Sequence, residues 1–264
     1  MTRRVLSRVA AFASVAATGA WAQSPPSSAS QTAVASSIKR AKVPFAAGEQ
    51  MQYEVRFGSL KVGNAQMEVV ALDNVRGRPA WHTAFYVKGG NFLYRVNDLY
   101  ESWMDAETLS SLRFVQELEE GGRDTERRFE IYPDRAVFVQ TSKKPTKEEK
   151  SVSQPLDDGS FLYFLRTIPL EVGKTYDFDR YFRPDRNPVR IRVLRKEKVK
   201  VPAGTFDAIV VQPVIKTKGI FSENGHAEVW LSDDERHIML QLKSKLKFGS
   251  LNLYLKSYVP SPNT

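Results

Sequence analysis

Along most of this chain apolar and polar residues take turns. Met51, Tyr53, Val55 and Phe57 alternate with Gln50, Gln52, Glu54 and Arg56, the period of two that gives a β-strand one apolar face. Val189, Ile191 and Val193 alternate with Arg190 and Arg192 in the same way, and Leu251, Leu253 and Leu255 with Asn252, Tyr254 and Lys256. Phe206, Ala208, Val210 and Val214 share one face of another strand, and the intervening Ile209 and Val211 mark it as partly buried on both sides. Turn formers separate these runs at Asn74 to Pro79, Gly121-Gly122, Pro133-Asp134, Pro202-Ala203-Gly204, Asn224-Gly225 and Asp233-Asp234. The pattern predicts about a dozen strands at spacings of roughly 8–15 residues, an all-β fold with a large antiparallel sheet curled into a sandwich or an open half-barrel. One short helix is predicted over residues 157–167, where Phe161, Leu162, Phe164 and Leu165 follow helical spacing and Asp157, Asp158 or Ser160 can cap it. Such a helix would plug or cover one sheet face.

The start of the chain breaks this pattern. Arg3, Arg4 and Arg8 precede an uncharged, alanine-rich stretch from Val9 that ends in Ala20-Trp21-Ala22, the layout of a cleavable export signal over residues 1–22. The run Thr2 to Leu6 also resembles the twin-arginine signature, so the export route stays open. Residues 23–42 are dominated by Ser, Ala, Pro and Gln and predict a disordered leader. A single β domain is expected over residues 43–260. No cysteine follows the cleavage point, so the expectation is a periplasmic or secreted product that is soluble, not lipidated and without a transmembrane segment after cleavage. The short apolar bands, the charge on both strand faces and the final Pro-Asn-Thr speak against an outer-membrane barrel.

Composition narrows the chemistry. With no cysteine anywhere, there is neither a thiol nucleophile nor a disulfide framework, and an ordinary hydrophobic core must carry the stability. Removing residues 1–22 takes away three arginines and no acid, lowering the formal charge from +9 to +6. For an exported protein this balance favours anionic envelope polymers over nucleic acid.

No motif assigns a reaction. Gly173-Lys174-Thr175 looks like the end of a phosphate loop, but Ile168 stands where the earlier glycine is required and a strand follows; it reads as a turn. No Gly-x-Ser-x-Gly occurs. His226 and Glu228 would point to one face of a strand, with His237 beyond the next turn; a solvated strand face is the plainer reading than a metal site. Asp98, Glu101 and Asp105 could serve an enzyme if two of them met. The basic run from Arg180 to Lys200 includes Arg183, Arg190 and Arg192, whose planar forks suit phosphate and carboxylate. Trp81, Trp103, Tyr163, Phe164, Trp230 and Tyr254 are aromatics that could line an apolar ligand surface, although any β core uses them too; Trp103, Tyr163 and Trp230 are taken as the candidate contacts.

The order of several segments resembles domain-of-unknown-function family 3108. The match opens on Phe45-Ala46-Ala47-Gly48-Glu49-Gln50-Met51-Gln52-Tyr53-Glu54-Val55 with Gly58 and Val62-Gly63-Asn64-Ala65. It continues through Asp98 to Asp105, Phe161 to Arg166 and Val201 to Phe206, and ends on Ala227 to Asp234. The resemblance implies an exported bacterial all-β domain and brings no catalytic residues.

Three functions fit these features. The first is a non-enzymatic envelope protein that binds a lipid-like or anionic glycan ligand on a curved sheet, with Arg183, Arg190, Arg192, Trp103, Tyr163 and Trp230 as candidate contacts and no cofactor or metal. The second is a hydrolase or glycan-modifying enzyme built on a carboxylate pair. The third is a structural partner in an envelope assembly. The oligomeric state is not fixed by the sequence.

Overall fold

The computed structural model describes residues 41–90, 95–216, 221, 226–246 and 249–262. The readings of residues 1–22 as an export signal, of all but the last two leader residues, and of the Asn224-Gly225 turn lie outside them. At residue 41 the chain is already tied to the domain, its N–H donating to the Ala106 carbonyl (2.8 Å).

Fourteen strands follow in order: β1 (Gln50–Phe57), β2 (Leu60–Val75), β3 (Arg78–Gly90), β4 (Arg95–Asp105), β5 (Ser111–Glu120), β6 (Arg123–Tyr132), β7 (Val137–Gln140), β8 (Glu148–Lys150), β9 (Thr175–Phe178), β10 (Val189–Val201), β11 (Gly204–Val214), β12 (Glu228–Ser232), β13 (Met239–Leu246) and β14 (Gly249–Val259). All belong to one antiparallel sheet, ordered β8 to β1 and then β14 to β9. The first and last strands therefore lie side by side in mid-sheet, with Val55 opposite Leu253. Of the two curled forms left open by the pattern, the single open sheet is realised, and it does not close into a barrel. Its edge strands β8 and β9 do not pair; beyond them a lone parallel bridge joins Leu156 to Tyr181, and the Ser151 hydroxyl donates to the Phe182 carbonyl.

The alternating apolar residues form the inner face. Met51, Tyr53, Ala65, Met67, Val69, Ile191, Val229, Leu253 and Leu255 are buried in one cluster, and the Tyr53 hydroxyl reaches across to the Met239 carbonyl (3.0 Å). Inside sits the one α-helix among the described residues, α1 (Asp158–Leu165). Phe161, Leu162, Tyr163, Phe164 and Leu165 are all buried, because the helix is enclosed rather than laid on a surface; it therefore has no polar face. Asp157 caps it, its carboxylate accepting from the N–H groups of Gly159 and Ser160, while the Ser160 hydroxyl accepts from the Asp157 N–H. This reciprocal capping box satisfies orphan N–H groups where no water reaches. Past the other end, Arg166 makes a two-pronged ion pair with Glu49 (2.8 Å twice), both side chains being 1% exposed.

Candidate ligand-binding face

The pleat of β10 sends Val189, Ile191 and Val193 inward and Arg190 and Arg192 outward. The ladder then fixes what stands beside them: Arg190 faces Val214 and Arg192 faces Gln212 on β11. Pro188, Arg190, Arg192, Gln212, Val214, Lys216 and His226 line a cleft of about 320 Å³. Arg190 is held flat by Asp177 of β9 through two bonds (2.7 and 2.8 Å), and its neighbourhood drives the Asp177 carboxyl below the usual carboxylate range. Arg192 donates to the neutral Gln212 Oε1 (3.2 Å), so its charge is not consumed by that contact.

A second cleft of about 660 Å³ adjoins the first, sharing Gln212 and His226, and extends over Glu228, Trp230, Lys243, Lys245, Asn252 and Tyr254. Register explains the assembly: Trp230 faces Val210 on one side and Gln241 on the other, Glu228 faces Lys243, and Gln241 faces Tyr254. These outward positions run in rows across β10 to β14, a width of about 19 Å at a normal strand spacing. Cations sit over the rings. Lys243 Nζ lies 5.2 Å from the Trp230 ring centre and the Arg56 guanidinium 4.9 Å from that of Tyr254. Arg195 joins Glu197 and Glu228 (2.9 Å each) and the Trp230 indole N–H donates to Glu197 (2.6 Å). These bonds hold the Glu197 carboxyl below its ordinary range and leave Trp230 only 4% exposed. Asn252 is 6% exposed, and its Oδ1 is buried without a hydrogen-bond partner. Leaving such an acceptor unmet costs free energy, and it lines the second cleft.

The six sequence-predicted contacts are thus dispersed. Arg190, Arg192 and Trp230 lie along one face. Arg183 lies at the seam, its guanidinium over the rings of Phe129, Phe138 and Phe182 (5.1–5.5 Å). Tyr163 is inside, edge-on to Phe45 (5.1 Å), with burial pushing its hydroxyl pKa up. Trp103 is on the outer face of β4, stacked on His82 (4.2 Å) and donating to Asp73 (3.0 Å). Gln212, Lys216, Lys243 and Asn252 line these clefts and were not singled out by the sequence. Outward alternation marks Lys243, Asn252 and Tyr254, but only the ladder shows which strands they adjoin.

The proposed carboxylate pair does not form. On β4 the side chains of Asp98 and Glu101 point to opposite faces. Glu101 bonds His82 Nε2 (2.9 Å), and Asp105 pairs with Arg78 (2.7 Å) while accepting from the N–H groups of Glu107 and Thr108. The three suggested metal ligands are likewise apart in role: Glu228 takes Arg195, and His237 Nδ1 lies 3.0 Å from the Arg166 carbonyl oxygen. Among the described residues no group of three His, Asp or Glu side chains has metal-binding geometry.

Comparison with known proteins adds fold and family. The model of a family described as "Protein of unknown function (DUF3108)" matches residues 52–256. No curated protein matches the sequence. Among solved structures, a β-barrel-like protein of domain of unknown function DUF1849 from Brucella abortus superposes with a TM-score of 0.56 at 12% identity, covering 83% of this chain and 99% of its own. A chain from Parabacteroides distasonis ATCC 8503 described as a candidate lipoprotein covers 84% of this chain and 100% of its own at 10% identity; its TM-score is 0.31, and it carries no argument. The Brucella structure supports the barrel-like curl alone.

Proposed function

Since the chain belongs to the DUF3108 family of proteins of unknown function, which brings no residue roles with it, we propose from the site itself that this is an envelope protein of the periplasm or exterior that binds an anionic polymer, such as an acidic glycan, along the outer face of β10 to β14. The observation that carries this reading is the continuity of the two clefts. Arg192 and Lys216 in the first, and Lys243 and Lys245 in the second, place four cations along one groove with Gln212 and His226 at the junction. A row of cations matches an extended polyanion better than a single small anion, since the attraction accumulates with each charge engaged. The unmet Asn252 Oδ1 accepts a hydroxyl, which sugars supply and simple polyphosphates do not. The export signal read over residues 1–22 and the absence of cysteine fit an envelope location.

The inner face supports a lipid cradle less well along most of its length, because α1 and the buried aromatic side chains occupy it. A catalytic role lacks its carboxylate pair.

Fluorescence anisotropy with labelled polygalacturonate, and neutral dextran as control, tests the reading. Wild-type protein should bind the acid polymer only. Arg192→Glu combined with Lys216→Glu should weaken binding at least about tenfold, since each bond to a charged group is worth about 1.5–3 kcal/mol. Equal affinity of the double variant would remove the groove from the account.

A further inference from the structure

Among the described residues, the inner face is not covered to its end. Residues two apart on β4, Val96, Asp98 and Tyr100, point inward, and register sets Val87 of β3 and Leu118 of β5 on either side of Asp98. Those four neighbours, Val87, Val96, Tyr100 and Leu118, are only half-buried, so solvent reaches this stretch, which lies beyond α1 toward the tips of the β3–β4 and β5–β6 hairpins. The same face of the β1–β2 hairpin, at the same end of the sheet, carries Phe57 at 41% and Leu60 at 70% exposure, the two facing each other in the ladder. Asp98 is the exception in this apolar stretch. It is 8% exposed, and its Oδ1 is buried with no hydrogen-bond partner. Val87 and Tyr100 lean on the core cluster with one side and the Glu119 N–H donates to the Asp98 carboxyl, but among the described residues nothing meets its Oδ1, which leaves an amphipathic surface around it.

We infer that this inner rim is a second binding site, distinct from the outer groove, for a single-chain amphiphile whose head group donates a hydrogen bond to Asp98 Oδ1 while its alkyl chain runs over Val87, Val96 and Leu118 toward Phe57 and Leu60. The occupant best matched is a protonated primary amine on an alkyl chain. A fatty carboxylate has no proton to donate and would add a third negative charge beside Asp98 and Glu120; burial, and then the Glu120 charge, already push the Asp98 carboxyl up to about 6. An uncharged phenyl or alkyl group would leave the oxygen unmet. Burial and the Glu120 charge act on this carboxyl from one side, and the Glu119 N–H donates to it from the other; the Tyr100 hydroxyl beside it also senses Asp158 and Arg127. Of these Arg127 is engaged with Gln116 (3.3 Å).

Native mass spectrometry and isothermal titration of the full chain with dodecylamine, dodecane-1-sulfonate and dodecanoate, each below its micelle concentration, provide the test. Dodecylamine should bind one to one and the two anionic amphiphiles at least about tenfold more weakly. Asp98→Asn, which keeps the shape, should reduce dodecylamine affinity by about tenfold or more, because an ammonium–carboxylate ion pair becomes a bond from an ammonium to a neutral amide oxygen. Phe57→Ser with Leu60→Ser, at exposed positions that do not threaten folding, should weaken dodecylamine severalfold and leave polygalacturonate binding unchanged. Equal binding of all three amphiphiles, no saturable dodecylamine binding, or unaltered affinity in both variants would each overturn the inference. Because polygalacturonate is measured on the same samples, failure here leaves the outer groove standing, and the reverse also holds.

Discussion

Gly159 shows how tightly single positions are set around α1. A Cβ built on it would come within 2.4 Å of Ser102 Oγ, and that hydroxyl cannot swing away, since it donates to the buried Asp157 carboxylate. Replacing glycine inside a helix usually stabilises it by up to about 1 kcal/mol; here Gly159→Ala should instead destabilise, by about 1–3 kcal/mol from overpacking. Urea unfolding of Gly159→Ala, and of the same change with Ser102→Ala to clear space, checks this: the second variant should recover part of the loss. Asp157 itself carries a pH signature. Burial raises its carboxyl to about 6, against hydrogen bonds from Ser102, the Ser160 N–H and Ser111 that lower it. A carboxyl whose folded value lies above its unfolded one binds more protons in the folded state, so it costs stability increasingly as pH rises from about 4 through about 6. Asp98 acts in the same direction. Glu54, Asp177, Glu197 and Asp234, held low, contribute stability that is lost only on further acidification. The melting temperature should therefore rise between pH 7 and pH 5, and Asp157→Asn should shrink that rise while keeping the cap, because asparagine caps helices about as well. An unchanged or steeper rise in the variant would argue against a buried, charged Asp157 at neutral pH.

At the level of elements, α1 is pinned at both ends, by the Asp157 box and by the Glu49–Arg166 pair. Arg166 also donates to the carbonyls of Arg236 and Pro44, tying the helix to the β12–β13 turn and to the approach to β1. Breaking one partner leaves a charge buried and unpaired, so Glu49→Ala should cost about 3–5 kcal/mol, read from chemical denaturation. The helix and the strand periodicity were legible in the sequence because each is a local pattern. Asp157 and the run Phe161–Leu165 gave the cap and the buried turns, and the Val189–Val193 alternation gave the outward arginines. The burial of β11 on both faces was legible too, from Ile209 and Val211; the structure sets Val210 beside the buried Trp230 in the ladder. What was not legible is pairing between distant strands. Tyr163 reads as a ligand-facing aromatic until α1 is known to lie inside, and Asp98 and Glu101 read as neighbours until the pleat separates them. Glu49 and Arg166 are 117 positions apart, and no local pattern joins them.

For the whole molecule, a fourteen-strand sheet that curls around one helix presents a long outer face, and charge is not spread evenly over it. Arg192, Lys216, Lys243 and Lys245 collect on β10 to β14, while Glu117, Glu119, Asp124 and Glu126 line a shallow cleft over β4 to β6, where Arg128 bridges Glu117 and Glu126. A polyanion approaching at low salt is drawn to the first face and repelled from the second, and the preference fades as the Debye length contracts to about 8 Å at physiological ionic strength. Hydrogen–deuterium exchange with and without polygalacturonate tests this account most directly, because it locates the ligand without a mutation. Binding along the outer groove should slow exchange in peptides from β10 to β14 and leave those from β4 to β6 unchanged; protection confined to β4 to β6, or absent from β10 to β14 at saturating polymer, would contradict it.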